Sequence, residues 1–223
     1  MYGYLNPESK GMQLFYKTTE MMLLSVLWIV ASLPIVTMGA ASSALYYAVV
    51  KVIRNREGYA WNEFWRGFRI NFMQATKLWI PSVVLLAGLV ADIIIVHLMS
   101  VAGMAGRWTM IIFALIFAFG LMWLIYIFAY IARFEDKIKK VLFNTVWMTM
   151  FHFVHSLLLL TVLVIMFGLV FLFPIVLPFA VFFFPGLYGV IAASVLESRF
   201  KLHMPKEETD DPRIEEDDVN VNQ

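Results

Sequence analysis

The chain has 223 residues, of which 61% are apolar, and its formal net charge is +1, from 17 Lys and Arg against 16 Asp and Glu. Soluble domains are about 45–50% apolar, so this composition points to lipid as the solvent for most of the chain. The near-neutral balance gives no basis for a nucleic-acid partner, and the absence of cysteine excludes a disulfide framework, a thiolate metal site and a cysteine nucleophile.

In chain order, residues 8–19 place Met12, Phe15 and Tyr16 on one side of a short surface helix. Residues 21–50 then carry no charge but are interrupted by Leu33-Pro34-Ile35-Val36-Thr37-Met38-Gly39. Two readings are open here. One is a single tilted span with the N-terminus outside. The other is a hairpin of residues 18–36 and 40–54, whose Lys51 and Arg54 reach to the interface. A cleaved signal peptide is not expected. The leader carries as much acid as base, and the apolar run exceeds the roughly 7–15 residues of such a segment.

Residues 59–76 set Trp61, Phe64, Trp65, Phe68 and Phe72 at helical spacing, with Asn62, Glu63, Arg66, Arg69 and Gln74 mostly elsewhere around the wheel. This pattern predicts an aromatic-rich amphipathic helix lying in the headgroup layer. Residues 77–98 and 108–132 follow as spans of the length that a bilayer core requires. Residues 134–152 repeat the amphipathic pattern, with Phe134, Ile138, Val141, Leu142 and Thr145 on one face. The next apolar run is too long for one span, and Pro174 and Pro178 divide it into residues 153–173 and 175–196. Pro185-Gly186 is expected to kink the last span. Ala40 to Ala44 and the pair Gly186 and Gly189 are small-residue surfaces for close helix approach. Residues 202–223 are expected to be a disordered acidic tail, with Glu207, Glu208, Asp210, Asp211, Glu215, Glu216, Asp217 and Asp218.

The expected fold is therefore an all-α polytopic membrane bundle. It reads as a surface elbow helix plus a hairpin, three times over, with six membrane helices; five is the alternative. Lys51, Arg54, Arg56, Arg66, Arg69 and Lys77 cluster in one connector, and Arg133, Lys137, Lys139 and Lys140 in another. By the positive-inside rule these connectors and both termini are cytoplasmic, and Arg107 is outside. A multi-pass membrane protein results.

Few residues suggest chemistry. Asp92 is the one carboxylate within a span, and an intramembrane acid costs roughly 2.5–3.5 kcal/mol at mid-helix. It is either a proton or ligand group facing a cavity, or an interfacial carboxylate near Arg107; its place close to the outer end of its span favours the second. His152 and His155 have a spacing that can chelate a metal, but no third ligand lies nearby in sequence, so no metal and no cofactor are expected. There is no phosphate-binding Gly-rich loop, no Gly-x-Ser-x-Gly and no His-Glu-x-x-His. The expectation is a protein that is not an enzyme.

Two stretches carry a resemblance. Trp28-Ile29-Val30-Ala31-Ser32-Leu33-Pro34-Ile35-Val36-Thr37-Met38-Gly39 with Ala44-Leu45-Tyr46-Tyr47 resembles the opening of the YesL family of bacterial integral membrane proteins. Phe64-Trp65-Arg66-Gly67-Phe68-Arg69-Ile70-Asn71-Phe72 through Leu78-Trp79 is similar to its second signature. Pro34, Thr37, Gly39, Phe64, Phe68, Asn71 and Phe72 match motif positions. The resemblance implies a plasma-membrane protein of a Gram-positive bacterium, encoded near sugar-uptake transporters and sensors, with no assigned catalytic residue. The expected function is a non-enzymatic accessory or regulatory component of carbohydrate uptake. Its expected partners are the lipid bilayer and a sugar transporter or sensor complex, with a homo-oligomer allowed. The alternative is a small transporter or permease subunit with its site between broken membrane helices.

Overall fold

The computed structural model describes residues 10–98 and 104–200, without the side chains of Lys10, Met12, Leu14, Met104, Ala105, Arg107 and Arg199. The expected acidic tail lies outside the described residues, as does the side chain of Arg107. The fold is all helical, with seven α-helices and no strand among the described residues. They are α1 (Lys10–Ser32), α2 (Met38–Ala48), α3 (Ala60–Leu98), α4 (Met104–Arg133), α5 (Ile138–Phe151), α6 (Phe153–Leu172) and α7 (Leu177–Phe200). A π-helical turn, Val49–Arg54, continues α2. Five segments are long and apolar enough to cross a membrane: Ile35–Arg54, Ala60–Leu98, Trp108–Arg133, Phe153–Leu172 and Pro174–Ser198.

The first apolar region folds as a hairpin. Pro34 is extended (φ −75°, ψ 115°), which removes it from helix and breaks α1 from α2. The Thr37 hydroxyl donates to the Ala31 carbonyl at 2.6 Å, satisfying a group left over at the end of α1. Across the hairpin, Trp28 Nε1 donates to Ser42 Oγ at 3.2 Å. The small residues Ala40, Ala41, Ser43 and Ala44 are fully buried, so α2 is the centre of the bundle and packs against α1, α3, α4 and α7.

The elbows differ from their sequence reading. Residues 10–32 form one helix, so the first elbow runs straight into the first span. Residues 60–98 likewise form one 39-residue helix, with Pro81 inside it. The structure thus joins segments 59–76 and 77–98 in a single helix. The reason is visible in the buried stripe Ala60, Phe64, Gly67, Asn71, Ala75 and Leu78. Its spacing of three and four stays in phase across Lys77, so one protein-facing surface holds both segments. Only the third elbow is separate: α5 ends and α6 begins at His152, which leaves the helical region at φ −110°, ψ 36°.

Trp79 fixes where α3 meets the first hairpin. Beyond it, the arm to Leu98 is about 28 Å long at 1.5 Å per residue, close to the roughly 30 Å of a bilayer core. The α6–α7 hairpin is turned by Pro174–Val176 and presents Phe167, Phe171, Phe173 and Ile175 outward, as a lipid-facing surface does. Pro185 and Gly186 lie within α7. A Cβ at Gly186 would stand 2.5 Å from the Met21 carbonyl oxygen, and one at Gly189 would stand 3.1 Å from Val49 Cγ2. Both glycines therefore serve contacts of α7 with the first hairpin.

Candidate functional site

The last helix buries a charge. Ala192, Ala193, Leu196, Glu197 and Phe200 form its inward stripe, and Glu197 is only 2% exposed. Tyr46, from α2, donates its hydroxyl to Glu197 Oε1 at 3.3 Å. Arg133, the last residue of α4, places Nε 3.8 Å from the same oxygen. Arg54 donates to the Ala193 carbonyl at 3.0 Å, one turn before Glu197. The rings of Tyr46, Tyr130 and Phe134 meet Phe200 edge-on and screen the cluster from water. A buried carboxylate is tolerated only where hydrogen bonds and opposite charge offset its lost hydration, which is several kcal/mol. Here the compensation comes from α2 and α4, so the cluster ties the ends of α2, α4 and α7 together.

On the other side of Tyr130 and Phe134 lies a cavity of about 510 Å³ lined by Asp136, Lys140, Asn144, Trp147 and His152 among others. Asp136 is its organiser. It accepts from the Tyr130 hydroxyl at 2.6 Å and from Lys140 Nζ at 2.8 Å, while Asn144 Nδ2 donates to the Tyr130 oxygen at 2.8 Å. The Asp136 carbonyl accepts from Gln74 Nε2 at 2.8 Å, which pins the α4–α5 connector to α3. The hydrogen bonds from Lys140 and Tyr130 hold the Asp136 carboxyl below the usual carboxylate range. Trp147 and Phe151 stack with centroids 5.1 Å apart on the exposed face of α5.

A second depression, of about 620 Å³, lies along the first turns of α3 and is lined by Trp61, Asn62, Trp65, Arg66, Arg69 and Ile70. Both cavities and the Glu197 cluster therefore occupy the same end of the bundle, the one that gathers Lys51, Arg54, Arg66, Arg69, Arg133 and Lys140.

The residues singled out by sequence fall elsewhere and do not converge. Pro34, Thr37 and Gly39 form the α1–α2 break and its backing. Phe64 is completely buried and Asn71 nearly so, in the interior of the protein. Phe68 and Phe72 pack partly against the same core and continue an aromatic ladder with Phe64 at centroid spacings of 6.4 and 5.4 Å. Asp92 is exposed on the C-terminal part of α3 and lines neither of the two cavities described above. The His152 and His155 rings meet edge-on at 6.3 Å; no group of three metal-ligating side chains occurs among the described residues. Sequence reasoning missed Glu197 and Asp136. Glu197 is the only carboxylate in the last apolar segment, a signal that its place at the end of the run disguised as a boundary.

Residues 21–93 match a family described as Protein of unknown function, DUF624. The match covers the second half of α1, all of α2 and most of α3, less than half of the chain. No curated protein and no solved structure matches the chain.

Proposed function

We propose that this protein is a non-enzymatic accessory or regulatory component of a bacterial plasma membrane, working from the face where its basic connectors gather, in association with carbohydrate uptake. The observation that carries the reading is the distribution of polar structure. The Glu197 cluster and both described cavities lie at the basic end, whereas the broken first hairpin is filled by Ala40, Ala41 and Ala44 and Trp79. A permease would place its polar site between broken helices near the midplane. By the positive-inside rule, the Lys and Arg clusters support a cytoplasmic basic end. The DUF624 match, together with the motifs at residues 28–47 and 64–79, supports the YesL family, and the link to sugar uptake rests on that resemblance.

Uptake assays test this. Deletion of the gene should lower uptake of a labelled sugar in cells, and the purified protein alone in liposomes should move none. Sugar flux through liposomes holding only this protein would overturn the accessory reading. Sidedness is read by cysteine labelling on this naturally cysteine-free chain: cysteines placed at Arg66, Lys139 and Gln223 should be reached only from the cytoplasm, and one at Arg107 only from outside.

A further inference from the structure

Five of the ten cations in the two basic connectors are engaged within the fold. Arg133 faces Glu197, Lys140 bonds Asp136, and Lys51 stands 3.9 Å from Glu63. Arg54 is spent on the Ala193 carbonyl and Arg56 on the Gln13 side chain. Arg66 and Arg69 are different. They are exposed, have no ion-pair partner among the described residues, and line one groove with Trp61, Asn62, Trp65 and Ile70. Trp61 is 54% exposed and Ile70 55%, so the groove sets two guanidinium groups beside uncovered apolar surface. That combination fits an acidic segment carrying a few apolar side chains.

We propose that the groove is the docking site of the chain's own C-terminal segment, residues 207–218. That segment holds eight carboxylates, one cation, Arg213, and the apolar Ile214. Charge complementarity selects it, and the fold delivers it to the correct end. Phe200, the last residue of α7, packs against Tyr46, and the adjacent Tyr47 packs on Gly67 between Arg66 and Phe68. Phe200 and the groove thus lie at the same end of the bundle, with α2 and α3 between them. The eighteen residues from 201 to 218 reach up to about 60 Å when extended, enough for the carboxylates to pass around α3 to the groove. Tethering supplies an effective concentration of order millimolar, enough for contacts that would be weak between separate molecules. A lipid phosphate is the less suitable occupant. Arg69 and Arg66 lie about 14–18 Å along α3 from Leu78, where the apolar run begins, and that exceeds the roughly 5–7 Å depth of a headgroup layer. Docking of the segment covers the basic face and competes there with any acidic partner.

Disulfide trapping in the full-length, cysteine-free protein tests the assignment. Asn62→Cys with Asp211→Cys should cross-link about tenfold faster than Lys139→Cys with Asp211→Cys, as an effective-concentration difference predicts. The excess should vanish in high salt and in a background of Arg66→Glu with Arg69→Glu, both exposed positions whose reversal leaves the fold intact. Equal rates for the two pairs, or an excess indifferent to salt and to charge reversal, would overturn the proposal. So would an absence of cross-linking accompanied by loss of co-purifying anionic phospholipid on charge reversal, which would assign the groove to lipid.

Discussion

Trp79 donates its indole N–H to the Ile35 carbonyl at 2.7 Å, and its ring backs Gly39 and stacks at a tilt on Phe128 with centroids 5.9 Å apart. One aromatic residue of α3 thereby satisfies a carbonyl freed at the α1–α2 break, fills the space of a missing side chain and joins α4. The interrupted hairpin is thus a docked element of the core, held in place from α3.

Gly39 is the tightest point of this contact. A Cβ there would lie 2.7 Å from Trp79 Cβ and 3.0 Å from Phe128 Cε1. Gly39→Ala should cost about 1–3 kcal/mol by overpacking. Gly88→Ala, where nothing lies within 4 Å, should be neutral or stabilising. Thermal melts of the two variants in detergent make the comparison, and equal melting would show that the contact is not tight.

Glu197→Ala leaves the Tyr46 hydroxyl buried without its acceptor and should destabilise by about 1–3 kcal/mol. Glu197→Gln retains an acceptor for Tyr46 and should cost less. Arg133→Gln leaves the buried Glu197 carboxylate without its opposite charge and should cost more than Glu197→Ala. Denaturation midpoints that rank in the reverse order would mean that the cluster is not what joins α2, α4 and α7.

The amphipathic part of α3 gives a graded series. Phe64→Asp places a charge in the protein interior and should abolish folded protein. Asn62→Asp, on the exposed face, should be tolerated. Gln74→Asp should fall between them, because it loses the hydrogen bond to the Asp136 carbonyl. Yields of monodisperse protein after solubilisation report the series; tolerance of Phe64→Asp would place that ring outside the core.

Asp136 predicts a pH dependence. Its carboxyl is held low by Lys140 and Tyr130, so its contribution is fully present above the unfolded carboxylate value near 3.9. It is lost as pH falls through the lower folded value. The wild type should therefore exceed Asp136→Asn in stability at neutral pH by a constant amount, and the two should converge on acidification below about pH 4. High salt should shrink the difference, since the Lys140 side chain is exposed. Melting curves across this window that stay parallel would rule out the titration.

Asp92→Asn should leave abundance and any sugar-growth phenotype unchanged. The side chain is exposed near the C-terminal end of α3, and asparagine keeps its shape and hydrogen bonding. Loss of function at normal abundance would instead make Asp92 a working group and move the transporter reading forward.

The sequence by itself determined the class of this protein, an all-helical chain of long apolar segments, and the break at Pro34, because hydropathy, helical periodicity and proline geometry are local properties that each segment carries alone. It also marked Gly39 as part of that break and the pair Gly186 and Gly189 as a surface of close approach, since a small residue in an apolar helix leaves a gap that something must fill. What fills each gap was decided only in three dimensions: Trp79 at Gly39, the Met21 carbonyl at Gly186. The same holds for the continuity of α3. Residues 59–76 look like a surface element because aromatic and basic residues share that stretch, yet a stripe in phase from Ala60 to Leu78 commits it to the protein core. Glu197 and Tyr46 stand 151 positions apart, and no periodicity links such residues. A carboxylate at the end of an apolar run reads as a boundary until tertiary packing closes α2, α4 and α7 around it, and burial then makes its pairing obligatory.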